Sequence, residues 1–191
     1  PDTAPETNYL GDHKEETDET LTRINAGILG DSREEIALNH KRDFRNACIA
    51  LARQAKQKIC IFTYDLDDDI YDNTELLDNL KRLATTTREP SVFVLLQNND
   101  RVQRERHRVV DLANRLPSKI KLFRPTQNNH QEHNENFMLI DDTGFVYRKW
   151  YTRFEGRVEF RNRIHARELA NFFQEVWNQS EEDVALRRLS I

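Results

Sequence analysis

Two histidines and two glutamates lie close together in one polar segment, and these residue types can bind a metal ion. They are His130 and His133, with Glu132 and Glu135 nearby. Imidazole nitrogens and carboxylate oxygens are common ligands of zinc. The segment is also rich in Asn and Gln, which favours a solvated turn over an ordered metal site. We therefore predict no metal site, and no cofactor is predicted for the chain.

An acidic run at residues 65–72 could in principle bind calcium. Counted from Asp65, position 6 is Ile70 and position 12 is Leu76. A calcium-binding loop of this kind needs Gly and Glu at those positions. The run is therefore interpreted as a solvated loop that caps the helix after it.

Four arginines share one face of a helix predicted at about residues 101–116. They are Arg101, Arg104, Arg108 and Arg115. Guanidinium groups bind phosphates and carboxylates, so this face is the candidate surface for an anionic ligand or an acidic protein partner, although an ordinary solvated face fits the pattern too. No aromatic residues interleave with these arginines, so stacking on single-stranded nucleic acid is not supported.

The net charge of −4 is unevenly distributed along the chain. Residues 1–20 contain seven acids and one base, a net of −6, which leaves about +2 for the rest. Residues 101–124 contain eight bases and two acids, and residues 148–167 contain seven bases and two acids. The acidic total thus conceals two basic segments, and it is a poor guide to partners.

The composition is that of a globular chain, with 37% hydrophobic and 32% charged residues. No run approaches the roughly 20 apolar residues that a membrane helix needs, so no membrane partner is predicted. Cys48 and Cys60 are the only cysteines, and we expect both to be buried without a disulfide. A reduced cytoplasmic setting is the expectation.

Hydrophobic periodicity predicts an α/β domain with a mixed sheet flanked by helices. Strands are predicted at 58–64, 91–96, 119–123 and 158–160, with a hairpin at 137–147 around Asp-Asp-Thr-Gly. Helices are predicted at 31–56, 74–83, 101–116 and 163–178. Residues 1–30 are acidic and lack periodic apolar positions, so we predict a flexible extension at 1–30 and a single domain at 31–191.

This order of elements resembles one lobe of the phospholipase D fold. The family's reaction centre is His-x-Lys-x-x-x-x-Asp on the strand that enters the hairpin, followed by Gly-Ser on the outgoing strand. The resemblance aligns Asp141 with the motif Asp, and it puts Asn134 and Asn136 at the His and Lys positions. Arg148 and Lys149 occupy the Gly-Ser positions.

These substitutions imply a domain that is not an enzyme. An amide cannot act as the nucleophile of a phospho-enzyme, and it provides no cation for a phosphodiester. The chain also resembles an uncharacterised bacterial family of degenerate phospholipase D-like domains. That likeness lies in Tyr-Asp-Leu-Asp at 64–67, Arg-Leu-Pro-Ser at 115–118, and the ending at 176–181 and 186–189. The implied role is an interaction or regulatory module. Because family enzymes with one lobe per chain pair two lobes, a homodimer is expected.

A rival enzymatic interpretation rests on Asp65-x-Asp67 at the end of a predicted strand. The pair resembles the first motif of haloacid dehalogenase-like phosphatases, in which one Asp attacks phosphate and the other is the acid/base. Under that resemblance, Asp141 and Asp142 would be the Mg²⁺-binding pair. The second predicted strand, however, ends without the expected Ser or Thr, and the chain leaves no room for a typical cap.

Overall fold

The computed structural model describes residues 9–186, without the side chains of residues 9–17 and of Asn129. The helices are α1 (Tyr9–Ala26), α2 (Lys41–Gln54), α3 (Asp68–Tyr71), α4 (Thr74–Thr86), α5 (Asp100–Arg104), α6 (Arg108–Arg115), α7 (Asn128–Gln131) and α8 (Arg163–Asn178). The strands are β1 (Glu35–Leu38), β2 (Ile59–Thr63), β3 (Val92–Leu96), β4 (Ile120–Pro125), β5 (Asn136–Ile140), β6 (Gly144–Arg148), β7 (Gly156–Glu159) and β8 (Ser180–Glu182). A 3₁₀ turn covers Val184–Leu186.

The strands of this described range form one mixed sheet in the order β1-β7-β6-β5-β2-β3-β4-β8. Strands β2, β3 and β4 are parallel, and every other neighbouring pair is antiparallel. The predicted α/β class with a mixed sheet is therefore confirmed.

Side chains alternate between two hydrophobic cores, one on each face of the sheet. Along β2, Ile59 and Ile61 join the core that contains α2 and α4, while Cys60 and Phe62 join the core under α8. This alternation follows from the two-residue period of a strand. Both faces of the central strands are covered, which explains why β2 reads as a continuous apolar run.

The predicted hairpin is confirmed, and the backbone conformation of its turn suits the residues that form it. Strands β5 and β6 pair in register from Asn136 opposite Arg148 to Ile140 opposite Gly144. Asp141 and Asp142 both have φ of +49°. Asp and Asn tolerate this left-handed region better than most residues, so the acidic pair fits the turn.

Two helix predictions are wrong in part. Residues 35–38 form strand β1 instead of the start of a helix, because Ile36 and Leu38 are buried between exposed Glu35 and Ala37 and pair with β7. The helix predicted at 101–116 is broken into α5 and α6. The break is stabilised by the buried side chain of His107, whose Nδ1 accepts the Val109 amide at the start of α6.

The segment predicted as a flexible extension, residues 1–30, contains helix α1 and contacts with the domain core. Ile24 is fully buried in the core beside α2, and the Leu29 amide donates to the Gln54 side chain. Gly27 lies so close to the Phe160 ring that no Cβ would fit there. The acidic composition concealed these few anchoring contacts. Residues 1–8 lie outside the described residues, so their predicted flexibility stays a prediction.

None of the helices in the described part of the chain is long and apolar enough to cross a membrane. Cys48 and Cys60 are both buried and unpaired, as predicted.

Candidate functional site

Two of the three motif positions lie at the carboxyl end of β2. Asn136 is the first residue of β5 and pairs with Arg148, the last residue of β6. Phe137 pairs with Phe62 of β2, so Asn136 lies beside the end of that strand. Asn134 is exposed, and its carbonyl oxygen accepts the Tyr151 amide at 2.9 Å.

The Asn136 side chain is buried and held by the backbone. Its Oδ1 accepts the amide of Tyr64 at 3.1 Å, and its Nδ2 has no hydrogen-bond partner. Asn136 lines a cavity of about 10 Å³ between α2, α3 and the hairpin. A cavity of that size holds one water molecule at most.

Arg148, on the outgoing strand β6, lies beside Asn136. These two buried residues and the small cavity between them are called the filled centre. Arg148 is only 2% exposed, and its Nη1 lies 3.7 Å from Oδ2 of Asp67 with no hydrogen-bond partner. The guanidinium lies 5.1 Å from the Phe154 ring centre and 5.7 Å from that of Phe44. Ring faces attract a desolvated cation, so two rings and one carboxylate together hold the buried charge.

The titratable groups around Arg148 are shifted towards their neutral forms. Burial raises the pKa of the Asp67 carboxyl, and the nearby Arg148 opposes that rise. Burial also raises the pKa of the Cys48 thiol to about 12 and raises the pKa of the Tyr71 phenol. Neither Cys48 nor Tyr71 is therefore an ionised nucleophile at neutral pH.

A pair of stacked tyrosines lies close to these groups. The rings of Tyr64 and Tyr151 are parallel to within 8°, with centroids 3.9 Å apart. Tyr64 follows β2, and Tyr151 belongs to the loop between β6 and β7, so the stack joins two loops at this end of the sheet. The neighbouring Trp150 is 42% exposed.

Asp141, the third motif position, lies at the opposite end of the hairpin and anchors the chain before β2. Its carboxylate accepts the amides of Lys56, Gln57 and Lys58 at 2.8 to 2.9 Å. Ile140 pairs with Ile59, so Asp141 is at the amino end of β2. It therefore lies on the order of 15 Å from Asn136 along the strand.

The same geometry contradicts the phosphatase interpretation. Asp65 and Asp67 follow the carboxyl end of β2, whereas Asp141 and Asp142 lie beside its amino end, roughly 20 Å away. The hairpin runs antiparallel to β2, and this direction separates the two acidic pairs. Among the described residues, no group of three or more His, Cys, Asp or Glu side chains could hold a metal ion.

The break between α5 and α6 separates Arg101 and Arg104 from Arg108 and Arg115, so the four arginines do not share one continuous helix. Arg101 donates to Asp68 at 2.6 Å and lies 3.6 Å from Asp65, so it belongs to the acidic loop at residues 65–72. The Arg108 guanidinium donates to both the carboxylate and the backbone carbonyl of Asp72 in the same loop. The other two, Arg104 and Arg115, are exposed.

Cations from other elements neutralise part of the acidic run at residues 65–72. Lys41 of α2 binds Asp69, and Arg148 approaches Asp67. The buried role of Arg148 was not predicted from the sequence. The hairpin register indicates it, because a ladder closed by the three residues 141–143 places residue 148 opposite residue 136.

Comparison with known proteins gives a family and a fold. The family described as "Domain of unknown function (DUF7931)" matches residues 40–189. No curated protein matches the sequence significantly.

Three solved structures are similar at low sequence identity. TrmBL2, an archaeal chromatin protein, has a TM-score of 0.58 at 14% identity, with 91% of this chain and 63% of that chain covered. The chain thus spans less than two thirds of TrmBL2. The phospholipase D family member Nuc from Salmonella typhimurium has a TM-score of 0.52 at 16% identity, and NucT from Helicobacter pylori has 0.56 at 12%. Each of the latter two covers 78% of this chain and 98% of its own. These structural similarities show that the chain has a phospholipase D-like fold. Because the family match spans most of the sequence, the chain belongs to the family described as "Domain of unknown function (DUF7931)".

Proposed function

We propose that the chain is a catalytically inactive phospholipase D-like domain that acts as an interaction or regulatory module. The observation that carries the proposal is the filled centre at the end of β2. Asn136 and Arg148 face each other across the hairpin, both are buried, and the cavity beside them has a volume of only about 10 Å³. A phosphodiester has no room in such a space.

The chemistry of the groups in this centre supports the same proposal. Asn134 and Asn136 supply amides where the resembled enzymes use an imidazole and an ammonium group. Arg148 does supply a cation, but it is enclosed by Phe44 and Phe154 and lies near Asp67. Its charge therefore interacts with groups inside the protein and is not exposed to a ligand. Asp141 keeps a purely structural role, since its carboxylate holds three backbone amides.

The purified protein is expected not to hydrolyse bis-p-nitrophenyl phosphate, or p-nitrophenyl phosphate with or without Mg²⁺. Release of p-nitrophenol should match that of a heat-denatured sample. The exposed variant Asn134→Ala is the control for the phosphodiesterase reaction, and Asp65→Asn is the control for the phosphatase reaction. Turnover in the wild type that either substitution removes would contradict the proposal.

A second candidate function is binding to nucleic acid or another polyanion. TrmBL2 is described as an archaeal chromatin protein with a novel mode of DNA binding. Here the better surface is the loop after β6, because Lys149, Trp150 and Arg153 are exposed there, and Lys149 Nζ lies 5.8 Å from the Trp150 ring centre. Cations interleaved with aromatic rings suit single-stranded nucleic acid.

Under this second function, binding of a single-stranded oligonucleotide should weaken with salt, as measured by fluorescence anisotropy. Lys149→Ser with Arg153→Ser should reduce the salt slope by about 2, roughly one per lost phosphate contact. The matched control is Arg104→Ser with Arg115→Ser. If only the control pair weakens binding, the arginines of α5 and α6 bind the ligand instead, and no binding at all would exclude this function.

The homodimer expected from the family resemblance stays a prediction. Light scattering of the 22.7 kDa chain would decide it.

A further inference from the structure

A second cavity lies on the other face of the sheet, beneath α8. It is half-open and has a volume of about 150 Å³. Its walls include the rings of Phe93, Phe173 and Trp177, and the Cys60 side chain lines it too. Cys60 belongs to the core under α8, whereas Met138 and the helices beside the filled centre belong to the other core. The cavity is therefore separate from the filled centre described above.

The size and walls of this cavity suit one aromatic ring. An enclosed apolar cavity of roughly 150 Å³ is large enough to bind benzene. Trp177 is already stacked on Phe123, with centroids 4.3 Å apart, and it meets Phe93 edge-on at 5.4 Å. Aromatic rings attract one another in both of these geometries, so a further ring would find favourable partners.

The rim of the cavity has one positive and one negative group. Lys58 Nζ and Asp142 Oδ2 are 2.8 Å apart, with side chains 39% and 44% exposed. Both groups line the cavity, as does the amide side chain of Gln174. The backbones of Lys58 and Asp142 are held close together, because Asp141 accepts the Lys58 amide and ties the hairpin turn to the start of β2.

From this arrangement we propose that the cavity binds a small aromatic zwitterion of the kind represented by a free aromatic amino acid. The ring packs against Phe93, Phe173 and Trp177 in the cavity, the carboxylate pairs with Lys58, and the ammonium pairs with Asp142. A ligand with only one charge would be attracted by one rim group and repelled by the other. A ligand with both charges replaces one exposed ion pair with two.

Separating the two charged groups at the rim costs little free energy. An ion pair between partly exposed side chains contributes only about 0.2 to 1 kcal/mol, so separating Lys58 from Asp142 is a small penalty. Cys60 does not make the cavity reactive, because burial raises the pKa of its thiol to about 12 and only the thiolate is a nucleophile. The site therefore binds its ligand without covalent chemistry.

The test uses L-phenylalanine as the probe and Trp177 as the reporter. The chain has two tryptophans, so Trp150→Phe leaves Trp177 as the fluorophore. L-phenylalanine should produce a saturable change in emission, with a Kd of about 1 mM or tighter for a ligand of this size. 3-Phenylpropionate and phenethylamine, which each lack one charge, should bind at least about fivefold more weakly.

Three substitutions locate the site. Lys58→Met and Asp142→Asn change partly exposed side chains, and each should weaken binding about three- to fivefold. Ala170→Leu extends a cavity-lining side chain into the ring space and should remove the response. Circular dichroism confirms that each variant is folded. Equal binding of all three ligands, insensitivity to these substitutions, or no saturable response up to about 20 mM would each overturn the proposal. None of these outcomes bears on the filled centre.

Discussion

Replacing Arg148 by methionine is expected to lower the free energy of unfolding by about 2 to 4 kcal/mol at pH 7, because removing one partner of a buried pair leaves the other charge uncompensated. Methionine keeps most of the side-chain volume, so the loss of stability arises mainly from removing the charge and only to a small extent from a new cavity. Without the guanidinium, the partly buried Asp67 carboxylate loses the cation that lies 3.7 Å away and keeps its electrostatic interactions with Lys41 and Arg101. Urea denaturation of the two proteins measures the difference.

The loss in this variant should depend on pH. Burial raises the pKa of Asp67 above its ordinary value, and Arg148 opposes that rise. The pKa should therefore rise further in Arg148→Met. For a carboxyl whose pKa is higher in the folded state, folding takes up protons, so stability increases as the pH falls through that window. The loss should thus be smaller near pH 5 than at pH 7.

The matched control is the double variant Arg148→Met with Asp67→Asn, which has no buried charge to compensate. It should recover most of the stability lost at pH 7 and show little of the pH dependence. Equal losses at both pH values, together with additive single effects, would mean that Arg148 acts through packing on Phe44 and Phe154 alone.

Replacing Asp141 by asparagine is expected to cost about 2 to 3 kcal/mol of unfolding free energy, because hydrogen bonds to a charged acceptor contribute roughly 1.5 to 3 kcal/mol. The carboxylate accepts three backbone amides, and two of these bonds use the same oxygen, Oδ1. An asparagine keeps one acceptor oxygen, so at least one amide of the segment 56–58 loses its partner.

The neighbouring residue provides a control with the same chemical change. Asp142 has the same φ of +49° and lies in the same turn, but its carboxylate makes only a partly exposed ion pair with Lys58. Asp142→Asn should cost less than about 1 kcal/mol. Similar losses for the two variants would show that the turn, not the three amide bonds, accounts for the role of Asp141.

The central part of the fold could be predicted from the sequence because its signals are local. Strands β2 and β3 are short apolar runs bounded by polar residues, β4 begins with buried Ile120 and Leu122 on either side of Lys121, and Asp-Asp-Thr-Gly marks the hairpin turn. The parts that could not be predicted depend on tertiary contacts. β1 has four residues and is defined by its pairing with β7, and α1 is acidic yet anchored through Ile24.

The motif residues could be named from the sequence, but neither their environment nor the separation of Asp141 from Asn136 could be predicted. The motif spacing located Asn134, Asn136 and Asp141, while the burial of Arg148 depends on rings contributed by α2 and by the loop after β6. The surroundings of the arginines could not be predicted for a related reason. Helical spacing alone could not indicate that the helix breaks before His107, or that Arg101 and Arg108 neutralise the acidic loop at 65–72.

The central claim, that the centre at the end of β2 is closed, is tested most directly by the side-chain amide of Asn136 in a ¹H–¹⁵N NMR spectrum. The structure buries this group beside a cavity of about 10 Å³. Its amide protons should exchange slowly with solvent, and their resonances should stay in place when inorganic phosphate or orthovanadate is added. The exposed side-chain amide of Asn134 provides the internal comparison and should exchange rapidly. Rapid exchange at Asn136, together with a saturable shift on adding either anion, would show an open phosphate site and contradict the account.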